Sequence, residues 1–342
     1  MRFLSSLFGK KEKEPQPEPP AEDPADALDS PDGAARVDAA RALVERWRSG
    51  DVRAAEIVAP RLADLLEDVE PLVRAAGLSG VRLLQNPDNL QKCQSAVLVL
   101  LADPAPRVRA AAVWAAMRMP GETARAQVRA ALGSTDESMR FAAACALSEA
   151  HDSAALPELV EALRDDHRRQ EAVSALMALG DAAAVAELGK LFEQESLGDF
   201  DRTLVAAALA RFGDGRGTAH LISRIESDGD DRPVATEWAG RLGLEDAIPA
   251  LAELADAEGE AARGAAIRAL GRLKAPGAED RLLRIAADLA EAEDLRMDAA
   301  EGLAELGTPA ALEVLRKLAA RDAGELRQLC EELLAEVQAD AR

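Results

Sequence analysis

The sequence contains no tyrosine, and aromatic residues make up only 3% of its 342 positions. That scarcity excludes a core of stacked rings and argues against a β-sandwich or β-barrel, whose strands favour aromatic and β-branched residues. Cysteine is almost as rare. Cys93, Cys145 and Cys330 lie far apart with no CxxC or Cys/His ligand spacing, which speaks against a disulfide framework and reads as reduced thiols of a cytoplasmic protein. No stretch approaches the ~20 apolar residues of a membrane span, and the short apolar run near the N-terminus lacks the length and small-residue cleavage site of a secretory signal. Positive charge is in deficit as well: 41 Lys+Arg stand against 62 Asp+Glu, a net charge of -21. A nucleic-acid partner, which needs clustered Lys and Arg for phosphates, is therefore not expected.

What is abundant is alanine, about a fifth of the chain, within a hydrophobic share of 48%. Alanine, leucine, glutamate and arginine together predict helix. Three segments follow. Residues 1–14, MRFLSSLFGKKEKE, place Phe3, Leu4, Leu7 and Phe8 on one helical face ahead of Lys10 and Lys11. This peptide is expected to dock reversibly on an anionic inner membrane face or a partner's groove. Residues 15–33 are rich in proline and acid with little large and apolar, and are read as a disordered linker that cannot offset its ordering entropy. Residues 34–342 carry helical periodicity throughout, broken at short intervals by Gly, Asp or Pro.

An internal repeat organises that third segment. Arg74, Arg109, Arg140, Arg169, Arg202, Arg232, Arg263, Arg296 and Arg327 recur at spacings of 29 to 35 residues, most with a leucine seven positions later, and Arg36 with Leu43 forms a degenerate first copy. Later copies add an apolar-Gly pair, as in Leu179-Gly180, Phe212-Gly213, Leu242-Gly243 and Leu306-Gly307. Each unit reads as a helix running from the arginine past the leucine, a glycine or proline stop, and a second helix such as LPELVEALRD (156–165) or ALEVLRKLAA (311–320). One such hairpin cannot bury its apolar stripe alone, so the copies must stack. The expected fold is all-α, an α-solenoid of about nine helical hairpins behind an N-terminal tether.

The run of acid, Val-Arg, Ala-Ala and Ala-Leu-Gly resembles the bacterial HEAT-like repeat, the type first described in phycobilisome bilin lyases, over roughly residues 36–338. The resemblance implies that the register arginine is structural and pairs with an acid of the preceding turn: Asp103 before Arg109, Asp136 before Arg140, Asp166 before Arg169, Asp199 before Arg202 and Glu260 before Arg263. It is specific for fold and weak for function, because this scaffold serves unrelated roles.

No residue pattern points to catalysis, a metal or a cofactor. His151, His167 and His220 fall one to a repeat, and none is followed by the glutamate of the His-Glu pairs that hold iron in HEAT-like hydroxylases. Gly213-Asp214-Gly215-Arg216-Gly217 follows a helix rather than a strand and lacks the Lys-Ser/Thr of a phosphate loop. The acid pairs Asp165-Asp166 and Asp230-Asp231 sit at repeat junctions and suit solvated helix starts better than a catalytic dyad. A HEAT-like DNA glycosylase would need a basic inner face, whereas the middle second helices carry Glu158, Glu161, Glu187, Glu193 and Glu253. Basic residues gather only at Arg281, Arg284, Arg316 and Lys317.

One interaction surface stands out instead. The position five after the register arginine is polar in most copies, which predicts a solvent-facing column, yet two adjacent repeats place Trp114 and Cys145 there. With Phe141, Ala110, Ala111 and Ala142 they predict an uncharged apolar patch on the outer face of neighbouring first helices, of the kind that marks a protein interface. The expected function is a non-catalytic scaffold or adaptor binding another protein. The alternative is a bilin-lyase-like maturation factor or enzyme subunit acting on a protein substrate.

Overall fold

A computed structural model of the chain describes residues 24–257, 259 and 261–340. The peptide carrying Phe3, Leu4, Leu7, Phe8, Lys10 and Lys11, residues 15–23 of the expected linker, and Glu260 lie outside these residues. Among the described residues helices alternate with short turns and no strand occurs. The architecture is an α-solenoid of stacked hairpins, and it divides after Ala143 into two compact units.

The first unit stacks three hairpins. Gly33–Arg48 is followed by Val52–Val58 and Leu62–Leu66, Pro71–Val81 by Pro87–Leu100, and Pro106–Ala116 by Glu122–Ala131. Order begins earlier than the linker composition suggests. Pro24–Ala27 is helical, Leu28 is buried, and Arg61 binds both the Ala25 carbonyl and the Asp29 carboxylate. Asp32 then caps the next helix by accepting from the Ala34 amide at 3.1 Å. A single leucine and a helix-start signal suffice to pull residues 24–33 onto the first hairpin.

In the second unit the first helices Arg169–Leu179, Asp199–Arg211, Arg232–Arg241, Arg263–Arg272 and Glu293–Leu306 alternate with second helices, the last being Pro309–Arg321. A terminal helix, Gly324–Asp340, closes the series. The apolar frame does what its spacing predicts. Leu43, Val81, Ala116, Leu147, Leu176, Leu209, Ala239, Leu270 and Leu303, each seven past its arginine, are all buried. Full burial of a leucine contributes roughly 1.5–3 kcal/mol, and the alanines between let helices close in. Gly180 and Gly307 end their helices with positive φ, 71° and 65°. His151 and Lys274 occupy the same slot with φ of 53° and 48°, so these two repeats make the turn without glycine.

The register arginines form a ladder, but its rungs run forward rather than back. Arg36 binds Asp68, Arg74 binds Asp103, Arg109 binds Asp136, Arg169 binds Asp201, Arg263 binds Glu291 and Arg296 binds Asp322. The acid belongs to the turn before the following first helix, or, for Asp201, to that helix's first turn. Asp103, expected with Arg109, is instead held by Arg74 one repeat earlier, and Asp136 is held by Arg109. The expected Asp166–Arg169 pairing is seen, as an additional contact.

Several of these arginines spend other N–H groups on carbonyls of the turn just ahead of their own helix. Arg74 donates to the carbonyls of Asp68 and Val69, Arg109 to those of Asp103 and Pro104, and Arg140 to that of Ser134. The reason is geometric: a five-donor guanidinium reaches carbonyls at hand and still projects toward the next turn. Arg36, the degenerate copy, makes the full set.

Candidate functional site

The expected patch separates into exposed and buried parts. Phe141, Ala142 and Cys145 are 7%, 9% and 3% exposed, so the expectation of an outward-facing apolar surface does not hold for them. Positions one and five after the arginine differ by only about 40° around a helix, and they flank the seam toward the neighbouring first helix. A large apolar side chain there gains more by filling the seam than by facing water. Thr203, at the same offset as Phe141, is fully buried too. Glu171 of the following first helix faces Cys145, and burial followed by that carboxylate pushes the thiol up to about 12. Burial likewise raises Cys330 to about 11 and lifts Cys93.

Ala110, Ala111 and Trp114 remain half-exposed. The Arg82 guanidinium lies 5.0 Å from the Trp114 ring centroid, a cation–π contact that covers part of the indole.

Beside them the first unit opens a groove of about 510 Å³ across three successive first helices. Its floor is the middle helix, Pro71–Val81, which turns Leu72, Ala75, Ala76 and Ser79 toward the opening. That is the i, i+3, i+4, i+7 stripe of one helical face, here made of mostly small residues. One wall is Gly33–Arg48 through Arg41, Ala42, Val44, Glu45 and Arg48, and the other is Pro106–Ala116 through Arg107 and Ala111. The Ser79 hydroxyl is already spent on the Ala75 carbonyl at 3.1 Å. Glu45 pairs with Arg48 in its own helix. Among the described residues neither Arg41 nor Arg107, both exposed, has an ion-pair partner. Sequence reasoning found Ala111 and missed the rest, because the stripe of alanines looks like ordinary helix until its neighbours overtop it.

The second unit has a cleft of about 310 Å³ at the corresponding first-helix surface, lined by Arg268, Arg272, Glu301, Glu305, Leu333 and Glu336 among others. Its two guanidiniums are spent on carboxylates of the same unit. Arg268 contacts Asp298, Glu237 and Glu301, and Arg272 contacts Glu237 and Glu305. Burial pushes Asp298 and Glu301 above the ordinary carboxylate range despite Arg268. Three of the later basic residues are occupied as well: Arg281 and Arg284 both reach Asp256, and Lys317 pairs with Glu313.

A polar cluster that the sequence did not reveal joins Thr203, His220, Arg224 and Asp231. Thr203 donates its hydroxyl to Asp231 at 2.6 Å, Arg224 binds the same carboxylate, and His220 Nε2 lies 3.2 Å from the Thr203 oxygen. Because the hydroxyl proton goes to Asp231 and Thr203 is fully buried, the histidine has no accessible nucleophile to activate. Burial lowers the His220 pKa, the Arg224 charge adding to the effect. The cluster substitutes for a ladder rung: Asp231 is held here by Arg224, and Arg202 turns to the carbonyls of Phe192, Gln194 and Leu197. Among the described residues no group of three or more His, Cys, Asp or Glu side chains could hold a metal ion. No helix there is long and apolar enough to cross a membrane.

Comparison with known proteins bears on the fold. The family model described as HEAT repeats matches residues 94–177 and 248–335, and the PBS lyase HEAT-like repeat matches residues 168–194. No curated protein sequence matches the chain. Similar solved structures include human deoxyhypusine hydroxylase in complex with glycerol, at 23% identity over 73% of this chain and 97% of that one, TM-score 0.31. The CpcE–CpcF complex of phycocyanin lyase from Nostoc sp. PCC7120 is 23% identical over 61% and 93%, TM-score 0.38. A homology model of the full-length AP-3 complex in an intermediate open conformation is 14% identical over 92% and 68%, TM-score 0.47.

Proposed function

We propose that this chain, which belongs to the HEAT repeat family, is a non-catalytic scaffold that holds another protein in the groove formed by Gly33–Arg48, Pro71–Val81 and Pro106–Ala116. One observation carries the reading: the groove combines a small-residue floor with two exposed guanidiniums, Arg41 and Arg107, that no carboxylate of the described chain takes up. Other arginines of the same unit are consumed by structure, Arg36, Arg74 and Arg109 in the ladder, Arg46 on Asp51 and Arg61 on Asp29, and Arg125, also exposed and without an ion-pair partner among the described residues, lies outside the groove. Unspent donors beside an open apolar strip are what a recognition surface requires. A stack of hairpins also presents such a strip rigidly, so little ordering entropy opposes binding.

The test is a photo-crosslinker in the full chain, benzoylphenylalanine at Ala111 against the same group at Leu289, which is 69% exposed in the second unit. In native cells the expected result is a discrete adduct from Ala111 that is absent from Leu289 and lost when Ala75→Arg fills the groove floor. Equal adducts from the two positions, or an Ala111 adduct indifferent to Ala75→Arg, would remove the groove from the function.

A further inference from the structure

We infer that the groove of the first unit takes a carboxylate-rich segment of its partner, an acidic peptide, with Arg41 and Arg107 as its anchors. The inference rests on the scaffold reading and adds the chemistry of the occupant. The charge balance of the groove points there. Three guanidiniums, Arg41, Arg48 and Arg107, face one carboxylate, Glu45, and Arg48 already holds it. Two positive charges are left over on the rim of a chain whose net charge is -21. Arg41 and Arg107 stand on opposite walls, on the first and third helices, with the recessed middle helix between them.

Packed helices lie about 8–10 Å apart, so walls two helices apart leave roughly 16–20 Å between axes, room for one peptide segment along the floor. A segment lying there would set its apolar side chains on Leu72, Ala75 and Ala76, and its carboxylates would reach a guanidinium on either side. Planar guanidinium forks match carboxylates in a bidentate geometry. A basic segment would meet two unpaired positive charges, so the same residues that attract the partner reject its opposite. The groove thereby reverses locally the sign of the whole molecule, which separates an acidic ligand bound here from non-specific association with the acidic surface.

The experiment selects random peptides displayed on phage against the immobilised full chain. A parallel selection uses the Arg41→Glu/Arg107→Glu variant, whose helical circular dichroism and melting temperature should equal those of the wild type, both residues being exposed. Wild type should enrich Asp and Glu in peptides that also carry apolar residues. A synthetic copy of the leading peptide should bind the variant roughly tenfold more weakly or not at all, and Arg41→Lys/Arg107→Lys should retain part of the affinity. Enrichment of basic or purely apolar peptides overturns the inference, as does acidic enrichment that survives in the Arg→Glu variant. Failure to enrich any peptide overturns it too. So would crosslinks from Ala111 to residues 14–23 of the same chain, which carry Glu14, Glu18, Glu22 and Asp23. If a protein still crosslinks at Ala111 while the selected peptides are not acidic, the scaffold reading stands and this inference alone falls.

Discussion

Arg74 and Asp103 are joined by two near-parallel hydrogen bonds, Nε to Oδ2 at 2.8 Å and Nη2 to Oδ1 at 2.9 Å, across the junction between two repeats. The same Asp103 oxygen Oδ1 accepts from the Ala105 amide at 2.8 Å, just ahead of the helix Pro106–Ala116. One carboxylate therefore both orients the start of a helix and ties that helix to the repeat before it. Asp68 and Asp136 do the equivalent, accepting from the Glu70 and Ser138 amides while held by Arg36 and Arg109, so at these junctions the stacking of hairpins is set at the turns as well as by the leucines between them.

Arg74→Ala should destabilise the chain by about 3 kcal/mol, because it strands a carboxylate whose side chain is 3% exposed. The double variant Arg74→Ala/Asp103→Ala should cost less than the sum of the two single changes and lie close to Arg74→Ala alone. Denaturant unfolding of all four proteins measures the coupling. Additive effects would mean that the rung contributes nothing to the stack.

Strong acid should loosen the ladder. Hydrogen bonds from Arg36, Arg109 and Arg263 hold Asp68, Asp136 and Glu291 below the ordinary carboxylate range. Groups whose folded pKa is depressed stabilise the fold above their unfolded value, and that stability drains away as pH falls through the folded value. Asp298 and Glu301, raised by burial, act the opposite way and favour the fold slightly as they gain protons. Thermal melts should be level or rise slightly from pH 7 to 5 and fall steeply below about pH 4. A steady decline beginning at pH 7 would contradict this account.

Close approach of first helices in the second unit depends on two glycines. A Cβ on Gly271 would stand 2.5 Å from the Gly302 Cα, so Arg263–Arg272 and Glu293–Leu306 touch backbone to backbone there. Gly271→Val should therefore cost about 1–3 kcal/mol or more through overpacking. Gly50→Ala makes a useful comparison: it meets no neighbour within 4 Å but has φ of 90°, so its cost is local strain without any change in packing. Urea unfolding distinguishes them, and a harmless Gly271→Val would mean that the helices can part.

Much of the fold was legible in the residues. The spacing of the register arginines predicted the hairpins, and the offset of seven predicted buried side chains at Leu43, Leu147, Leu176, Leu209, Leu270 and Leu303. The candidate site was far less legible. Ala111 was identified, whereas Arg41 and Arg107 were not, since the sequence shows that they lie off the register but not whether a carboxylate elsewhere in the fold takes them up. Phe141 and Cys145 were expected to face solvent because other copies place polar residues at their offsets. Helical offset states which flank a residue occupies and leaves open whether a neighbour covers that flank.

By itself the sequence determined the secondary structure, the repeat length and the identity of the core, because these follow from local propensity and from a 3.6-residue period that each hairpin carries within it. Only the tertiary structure decided the direction of the arginine ladder, the burial of Phe141 and Cys145, and the opening between the first three hairpins. Those features depend on distances between residues some thirty positions apart, which are set when one hairpin settles against the next.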